Sequence, residues 1–181
     1  GWAKVVLPVE PGHPGESSES IAPPPPVRLS PGPALWEMEG DAVVIRCGEQ
    51  LPPVGWSQVL CNAEFGWLTD ETGAGFLWSG GNSREGRLTP WGNDPLAVGG
   101  QETIMVNLNG QDFSVFAAGD GQPCTVTYGP GFARWEKTLG DVMLTAEGWV
   151  PLDKNCRILR FTLAGASGRI SCRLGEEEPS S

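Results

Sequence analysis

Side chains suited to acid–base catalysis are scarce in this sequence. Its only histidine is His13, which lies in a stretch rich in proline and glycine. Imidazole is the side chain that most often moves protons near neutral pH, and it is the general base of serine–histidine–aspartate triads. We therefore expect no histidine-dependent triad, no imidazole general base and no multi-histidine metal site in this chain.

Carboxylates are the remaining candidates for proton transfer. Asp70, Glu71, Glu85 and Asp94 lie close together in sequence. Two carboxylates a few ångströms apart can hydrolyse a glycosidic bond, one as acid and one as base or nucleophile. Acidic residues are also common in turns, and the sequence does not fix their separation. We predict that this chain contributes no catalytic residue.

The sequence contains no recognisable motif for binding a metal ion or a phosphate group. The sequence has no Cys-x-x-Cys pair and no Gly-x-x-x-x-Gly-Lys-Ser/Thr loop, so we predict neither a metal nor a cofactor. The glycines of residues 73–75 and 80–81 fall at expected turns. The five scattered cysteines predict buried free thiols in a reducing, cytoplasmic protein; they are Cys47, Cys61, Cys124, Cys156 and Cys172.

Tryptophan is the most informative residue type. The chain has eight tryptophans and one tyrosine. Most of these indoles suit the core of a β-sandwich, but an exposed indole can also stack on the apolar face of a sugar ring. Trp91 is the best candidate for a ligand or interface role, because it lies between Pro90 and Gly92, where the strand pattern has stopped.

Composition and charge exclude several classes of partner. The 181 residues include 39% hydrophobic and 19% charged residues, 26 Gly and 17 Pro. The net charge of −10 disfavours binding to nucleic acid or anionic lipid and leaves neutral sugars open. No apolar run reaches the ~18 residues that cross a bilayer.

The elements that must position these side chains are predicted to be short strands. Residues 1–33 form a Pro/Gly/Ser-rich linker or tail, in which residues 3–7 could pair as an edge strand. Residues 34–175 form the domain, with Asn109-Gly110 as a hairpin turn. The pattern predicts an all-β, large antiparallel sandwich without helices. Its strands are expected at 42–47, 56–61, 65–69, 75–79, 102–108, 112–117, 124–128, 131–139, 141–150, 155–163 and 168–174.

Five sequence blocks occur in an order typical of one enzyme family. They are Asn62-Ala63-Glu64-Phe65-Gly66 with residues 70–79, Asn82-Ser83-Arg84-Glu85-Gly86-Arg87-Leu88-Thr89-Pro90-Trp91, Asn93-Asp94-Pro95, residues 128–136 and residues 157–163. Residues 58–163 thereby resemble the N-terminal β-sandwich of glycoside hydrolase family 94, formerly glycosyltransferase family 36. That family includes cellobiose and chitobiose phosphorylases and the phosphorylase-like modules of cyclic β-1,2-glucan synthases.

The resemblance implies a galactose-mutarotase-like supersandwich, although the histidine chemistry of aldose mutarotases is absent. In the family, the catalytic acid and the phosphate site lie in an (α/α)6 barrel, so residues 176–181 are expected to begin a linker to such a barrel. Inorganic phosphate would be the co-substrate of the parent enzyme, and the isolated chain should be inert.

The resemblance also implies a site or interface loop within residues 82–95, on a β-glucoside substrate or in a homodimer. The candidates are Arg84, Glu85, Arg87, Trp91, Asn93 and Asp94. The arginines would be bidentate donors to sugar hydroxyls or a carboxylate, and Asn93 and Asp94 would be partners for sugar hydroxyls. A structural loop, with Arg84 or Arg87 paired to Glu85 or Asp94, is the alternative. Two further interpretations of the chain are a stand-alone carbohydrate-binding module and a purely structural or dimerisation domain.

Overall fold

The computed structural model describes residues 3–5, 35–48, 51–52, 55–89, 102–117, 122–165 and 170–176. Within these ranges every regular element is a β-strand and every strand pairing is antiparallel. The all-β antiparallel class predicted from the sequence is therefore confirmed. No described segment forms a helix long and apolar enough to cross a membrane.

Thirteen strands are described. They are β1 (Ala3–Val5), β2 (Leu35–Glu39), β3 (Ala42–Cys47), β4 (Ser57–Cys61), β5 (Phe65–Asp70), β6 (Gly75–Ser79), β7 (Glu102–Leu108), β8 (Gln111–Ser114), β9 (Cys124–Gly129), β10 (Phe132–Leu139), β11 (Val142–Trp149), β12 (Ile158–Ala164) and β13 (Ile170–Glu176). All eleven predicted strands are present, with ends shifted by up to about three residues. The strand β2 was not predicted.

The strands form three sheets. A six-stranded sheet has the order β12-β11-β10-β9-β3-β2, a four-stranded sheet has the order β1-β13-β7-β8, and a three-stranded sheet has the order β4-β5-β6. The strand β1 pairs with β13, as expected for an edge strand within the first residues. The β7–β8 hairpin turns at Asn109 and Gly110, both at positive φ, which confirms the predicted hairpin.

The core lies between the six-stranded sheet and the other two sheets. Residues that pair across antiparallel strands project to the same side of a sheet. In the six-stranded sheet the rows on one side consist mainly of apolar residues, so that face is apolar. Its central row runs Trp36, Ile45, Val126, Trp135, Ala146 and Phe161 from one edge strand to the other. Trp135 is fully buried against Trp67 of β5, with ring centroids 6.1 Å apart.

The same row ends in an exposed indole. Trp36 lies on the edge strand β2 and remains 55% exposed, with its ring centroid 5.4 Å from that of Trp56. Trp67, Trp78 and Trp135 are buried, as expected for most tryptophans. The indoles thus divide between the core and the rim of the sandwich.

The described cysteines are all free thiols, but they are not all buried. Cys47 and Cys124 are buried, Cys156 is half-buried and Cys61 is exposed. The prediction of a buried thiol is wrong for Cys61, because it alternates on β4 with the inward-facing Leu60. The side chain of Cys172 lies outside the described residues.

Candidate functional site

The first half of the predicted 82–95 loop adds to the three-stranded sheet. Residues 82–89 are described, and three of the six candidate residues, Trp91, Asn93 and Asp94, lie outside the described residues. The remaining candidates, Arg84, Glu85 and Arg87, follow the last strand of this sheet, β6. The structure therefore places half of the predicted site on one edge of the sandwich.

A tight turn leads from β6 into this segment. Gly80 and Gly81 both have positive φ, a conformation that glycine adopts at little cost. The side-chain oxygen of Asn82 then accepts backbone N–H groups from Arg84 at 2.9 Å and Glu85 at 3.4 Å. The backbone oxygen of Asn82 accepts the N–H of Gly86 at 2.9 Å. Asn82 therefore organises the turn that carries Arg84 and Glu85.

Residues 86–89 continue along the free edge of β6. The N–H of Ser79 donates to Gly86 and the N–H of Leu88 donates to Leu77, each over 2.8 Å. The hydroxyl oxygen of Thr89 accepts the N–H of Leu77 at 2.9 Å. These bonds occupy donors and acceptors that an open sheet edge would leave unpaired. Residues 86–89 thus have a structural role, because they cover the free edge of β6.

Arg87 packs on an aromatic surface beneath the segment. Its guanidinium carbon lies 4.8 Å from the centroid of the Phe76 ring, in cation–π geometry. The Phe76 and Trp78 rings are 5.6 Å apart, and Trp78 covers Gly66 of the middle strand so closely that a β-carbon there would overlap the indole. Arg87 therefore contributes to packing on the outer face of this sheet.

All three described candidates are exposed, including Arg87, which packs on Phe76. No side-chain hydrogen bond or ion pair joins Arg84 or Glu85 to another residue in the described ranges. Of the pairs in the predicted structural alternative, those with Asp94 lie outside the described residues, and the pair of Arg84 with Glu85 is not formed. These two side chains remain accessible to a ligand or a partner surface.

The two carboxylates that precede this segment have structural partners. One oxygen of Asp70 accepts from the Thr72 N–H at 2.8 Å, the Thr72 hydroxyl at 2.6 Å and the Ala74 N–H at 3.0 Å. Burial raises the pKa of Asp70, and these hydrogen bonds oppose that rise. Asp70 thus serves as the organiser of the β5–β6 turn.

Glu71 lies in the core, at 2% exposure. Its carboxylate accepts the N–H of Trp56 at 2.8 Å, while its backbone oxygen accepts the indole N–H of Trp135 at 2.9 Å. Burial raises the pKa of Glu71, and the neighbouring charge of Asp70 adds to the rise. The sequence presented Glu71 as a candidate catalytic group, whereas the structure assigns it a role in joining loops to the core.

Other buried polar groups surround Glu71. The Tyr128 hydroxyl donates to the backbone oxygen of Trp56 at 2.9 Å, and the ammonium of the buried Lys137 donates to the Ser114 oxygen at 2.9 Å. Burial and the charge of Glu71 raise the pKa of Tyr128 far above its usual range. Within the described ranges every buried side-chain nitrogen and oxygen has a hydrogen-bond partner. Sequence reasoning missed this cluster because its contacts join residues up to 72 positions apart.

The described side chains offer no metal site. No group of three or more histidine, cysteine, aspartate or glutamate residues in those ranges lies close enough to hold an ion. The arrangement that remains is a rigid sandwich, with a polar cluster inside and Arg84 and Glu85 on a turn at its surface. Such a surface can bind or support a partner, but it brings no acid–base pair together among the described residues.

Comparison with known proteins gives the same architecture. The family model described as "Glycosyl hydrolase 94, supersandwich domain" matches residues 41–171. Cyclic beta-(1,2)-glucan synthase NdvB of Rhizobium meliloti (strain 1021) is 30% identical over 131 residues. That alignment covers 70% of this chain and 5% of the synthase, so the chain spans only a small part of the length of this relative.

Proposed function

Because this chain belongs to the glycosyl hydrolase 94 family through its supersandwich domain, we propose that it is a non-catalytic part of a carbohydrate-active enzyme. The parent would be a phosphorylase or glycosyltransferase acting on β-linked glucosides, with phosphate as co-substrate of a phosphorylase. The sandwich would support the assembly of the substrate site, the formation of a dimer, or both. The family match over residues 41–171 is the observation that carries this proposal.

The described side chains support a non-catalytic role. Catalysis of glycosyl transfer requires a carboxylic acid placed to protonate a leaving oxygen. Asp70 is occupied by three donors of its own turn, and Glu71 is buried with Trp56 and Trp135 as partners. The catalytic groups would therefore lie in another domain of the parent, an (α/α)6 barrel by the resemblance to the family.

The turn at Asn82 supports a contact with sugar or with protein. Arg84 and Glu85 are held on a hydrogen-bonded turn, so their backbone is ordered before any partner binds. Preorganisation of this kind lowers the entropy lost on binding. A guanidinium and a carboxylate side by side can bind sugar hydroxyls or a complementary ion pair. By sequence proximity, Trp91, Asn93 and Asp94 belong to the same proposed contact.

The proposal is tested by an assay for phosphorolysis. The 181-residue chain is incubated with phosphate and either cellobiose or β-1,2-glucan oligomers, and glucose 1-phosphate is measured. We expect no product above the level of a protein-free control. Release of glucose 1-phosphate by the chain alone would contradict the non-catalytic role.

A carbohydrate-binding module is the second candidate, and the surplus of tryptophan favours it. It predicts heat of binding to a β-glucan in calorimetry, weakened in Trp91→Ala and in Arg84→Ala. The absence of binding across a panel of β-glucans would remove this candidate and leave the proposal above intact.

A purely dimerising domain is the third candidate. It predicts a concentration-dependent dimer in sedimentation velocity, with no affinity for sugar. A monomer at all concentrations would remove it.

A further inference from the structure

Two buried cysteines stand directly opposite each other in the six-stranded sheet. Cys47 ends β3 and Cys124 begins β9, and the two residues are partners in the antiparallel register. Both are 2% exposed, neither forms a disulfide, and the Cys124 thiol donates to the backbone oxygen of Thr125 at 3.8 Å. Partners in an antiparallel pair project to the same side of a sheet, so both sulfur atoms lie on the core side.

The strand register implies a backbone separation that suits a disulfide. Opposite residues in antiparallel strands have Cα atoms about 4.5–5.5 Å apart. Disulfide-bonded cysteines have Cα atoms about 4.4–6.8 Å apart. The two strands therefore need no change of register for a bond between these sulfur atoms.

The other described thiols lack this relationship. Cys61 is exposed on β4, in a different sheet, and Cys156 lies between β11 and β12. Neither residue has a cysteine opposite it in the strand register. Cys47 and Cys124 are thus distinguished by placement as well as by burial.

We propose that Cys47 and Cys124 form a dithiol–disulfide couple, which closes when a low-molecular-weight disulfide such as oxidised glutathione reacts with the chain. In the first step one cysteine thiolate attacks the glutathione disulfide, its S–S bond breaks, and one glutathione leaves and takes up a proton. In the second step the other thiolate attacks the mixed disulfide and releases the second glutathione. The two cysteines lose two protons and two electrons, and the glutathione disulfide gains them.

The Cys47 thiol reacts slowly in the folded state. Burial, with a further contribution from the charge of Glu71, raises the pKa of Cys47 to about 12, while Lys137 opposes the rise. Only the thiolate attacks a disulfide, and little of it exists at neutral pH with such a pKa. The bond therefore forms during folding or in transient openings of the sheet.

Closure of this bond stabilises the sandwich. Positions 47 and 124 are 77 apart, and the segment between them contains the whole three-stranded sheet and the β7–β8 hairpin. A crosslink across a loop of this length removes much conformational entropy from the unfolded chain. For a domain of this size we expect the thermal midpoint to rise by about 10 °C.

The test is peptide mapping of the unmodified 181-residue chain. The chain is refolded with oxidised and reduced glutathione, alkylated, digested without reductant and analysed by mass spectrometry. We expect a peptide pair joined through Cys47 and Cys124, which disappears after treatment with dithiothreitol. Recovery of both cysteines as free thiols, as glutathione adducts or in other pairings would overturn the proposal.

Two variants separate this pair from the exposed thiol. Cys61→Ser removes the most accessible described thiol and should leave the Cys47–Cys124 peptide unchanged. Cys124→Ala should abolish the peptide and the difference in thermal midpoint between oxidised and reduced protein. If this variant does not fold, the wild-type and Cys61→Ser maps still decide the question. An oxidised wild-type chain that melts at or below the reduced midpoint would overturn the stabilising role.

Discussion

The indole N–H of Trp135 donates a hydrogen bond of 2.9 Å to the backbone oxygen of Glu71. Trp135 is in the middle of the six-stranded sheet, and Glu71 follows the central strand of the three-stranded sheet. The same oxygen accepts the N–H of Ala117, which follows β8 of the four-stranded sheet. One carbonyl therefore connects segments from all three sheets, although Glu71 and Trp135 are 64 positions apart in the chain.

Trp135→Phe tests this connection. The substitution keeps an aromatic ring but removes the donor and leaves a small cavity. We expect a loss of about 2 kcal/mol in the free energy of unfolding, measured with urea. Trp36→Phe, at the half-exposed end of the same row, should change it by less than about 0.5 kcal/mol. Equal effects of the two substitutions would contradict the central role of Trp135.

Glu71→Gln tests the buried carboxylate. Because the folded pKa of Glu71 is raised, the folded state binds more protons than the unfolded state between the two pKa values. The free energy of unfolding should therefore decrease as pH rises from about 4.3, the unfolded pKa, through the folded pKa. Asp70 acts in the same direction.

In Glu71→Gln, the amide oxygen can still accept the Trp56 N–H, but the contribution of Glu71 to the pH dependence is removed. We expect a shallower decrease across this interval in urea unfolding measured at a series of pH values. Glu64→Gln, at an exposed position, should retain the wild-type slope. A slope in Glu71→Gln as steep as that of the wild type would contradict the assignment.

Gly66→Ala tests the contact beneath the outer aromatic surface. The new β-carbon would overlap the Trp78 indole, so the ring must move. We expect a destabilisation of about 1–3 kcal/mol and a red shift of tryptophan fluorescence. Gly48→Ala is the control, because a β-carbon at this glycine would have no other atom within 4 Å and its φ is not positive. An unshifted spectrum in Gly66→Ala would show that Trp78 does not cover this glycine.

Arg87→Ala and Arg84→Ala compare an exposed arginine that packs on Phe76 with an exposed arginine on the turn at Asn82. Loss of the contact between Arg87 and Phe76 should cost about 0.5–1 kcal/mol in urea unfolding. The exposed Arg84 should change stability by less than about 0.5 kcal/mol. A reversed order would mean that Arg84, and not Arg87, packs on the sandwich.

Local patterns in the sequence predict most of the fold. Alternation of apolar and polar residues predicted eleven strands, and Asn109-Gly110 predicted its hairpin, because both signals arise from a few neighbouring residues. The strand β2 also alternates, in Trp36-Glu37-Met38-Glu39, and is followed by Gly40 at positive φ. It was missed because it directly follows the Pro-rich segment. In the structure, its indole lies at the sheet edge and stays exposed.

The candidate site was only partly predictable. The turn at Asn82 follows from residues within four positions of each other, and it brings Arg84 and Glu85 to the surface. The positions of Arg87 on Phe76 and of Glu71 beneath Trp56 depend on side-chain packing between segments. Periodicity carries no information about such contacts, which is why the sequence alone could not assign Glu71 its structural role.

The most direct test of the non-catalytic role is the rate of glucose 1-phosphate release by the purified 181-residue chain. The reaction contains phosphate and cellobiose, or phosphate and β-1,2-glucan oligomers, with an active cellobiose phosphorylase as the positive control. A non-catalytic supersandwich domain predicts a rate equal to that of the protein-free blank on both substrates. A rate above the blank that increases in proportion to chain concentration would contradict it.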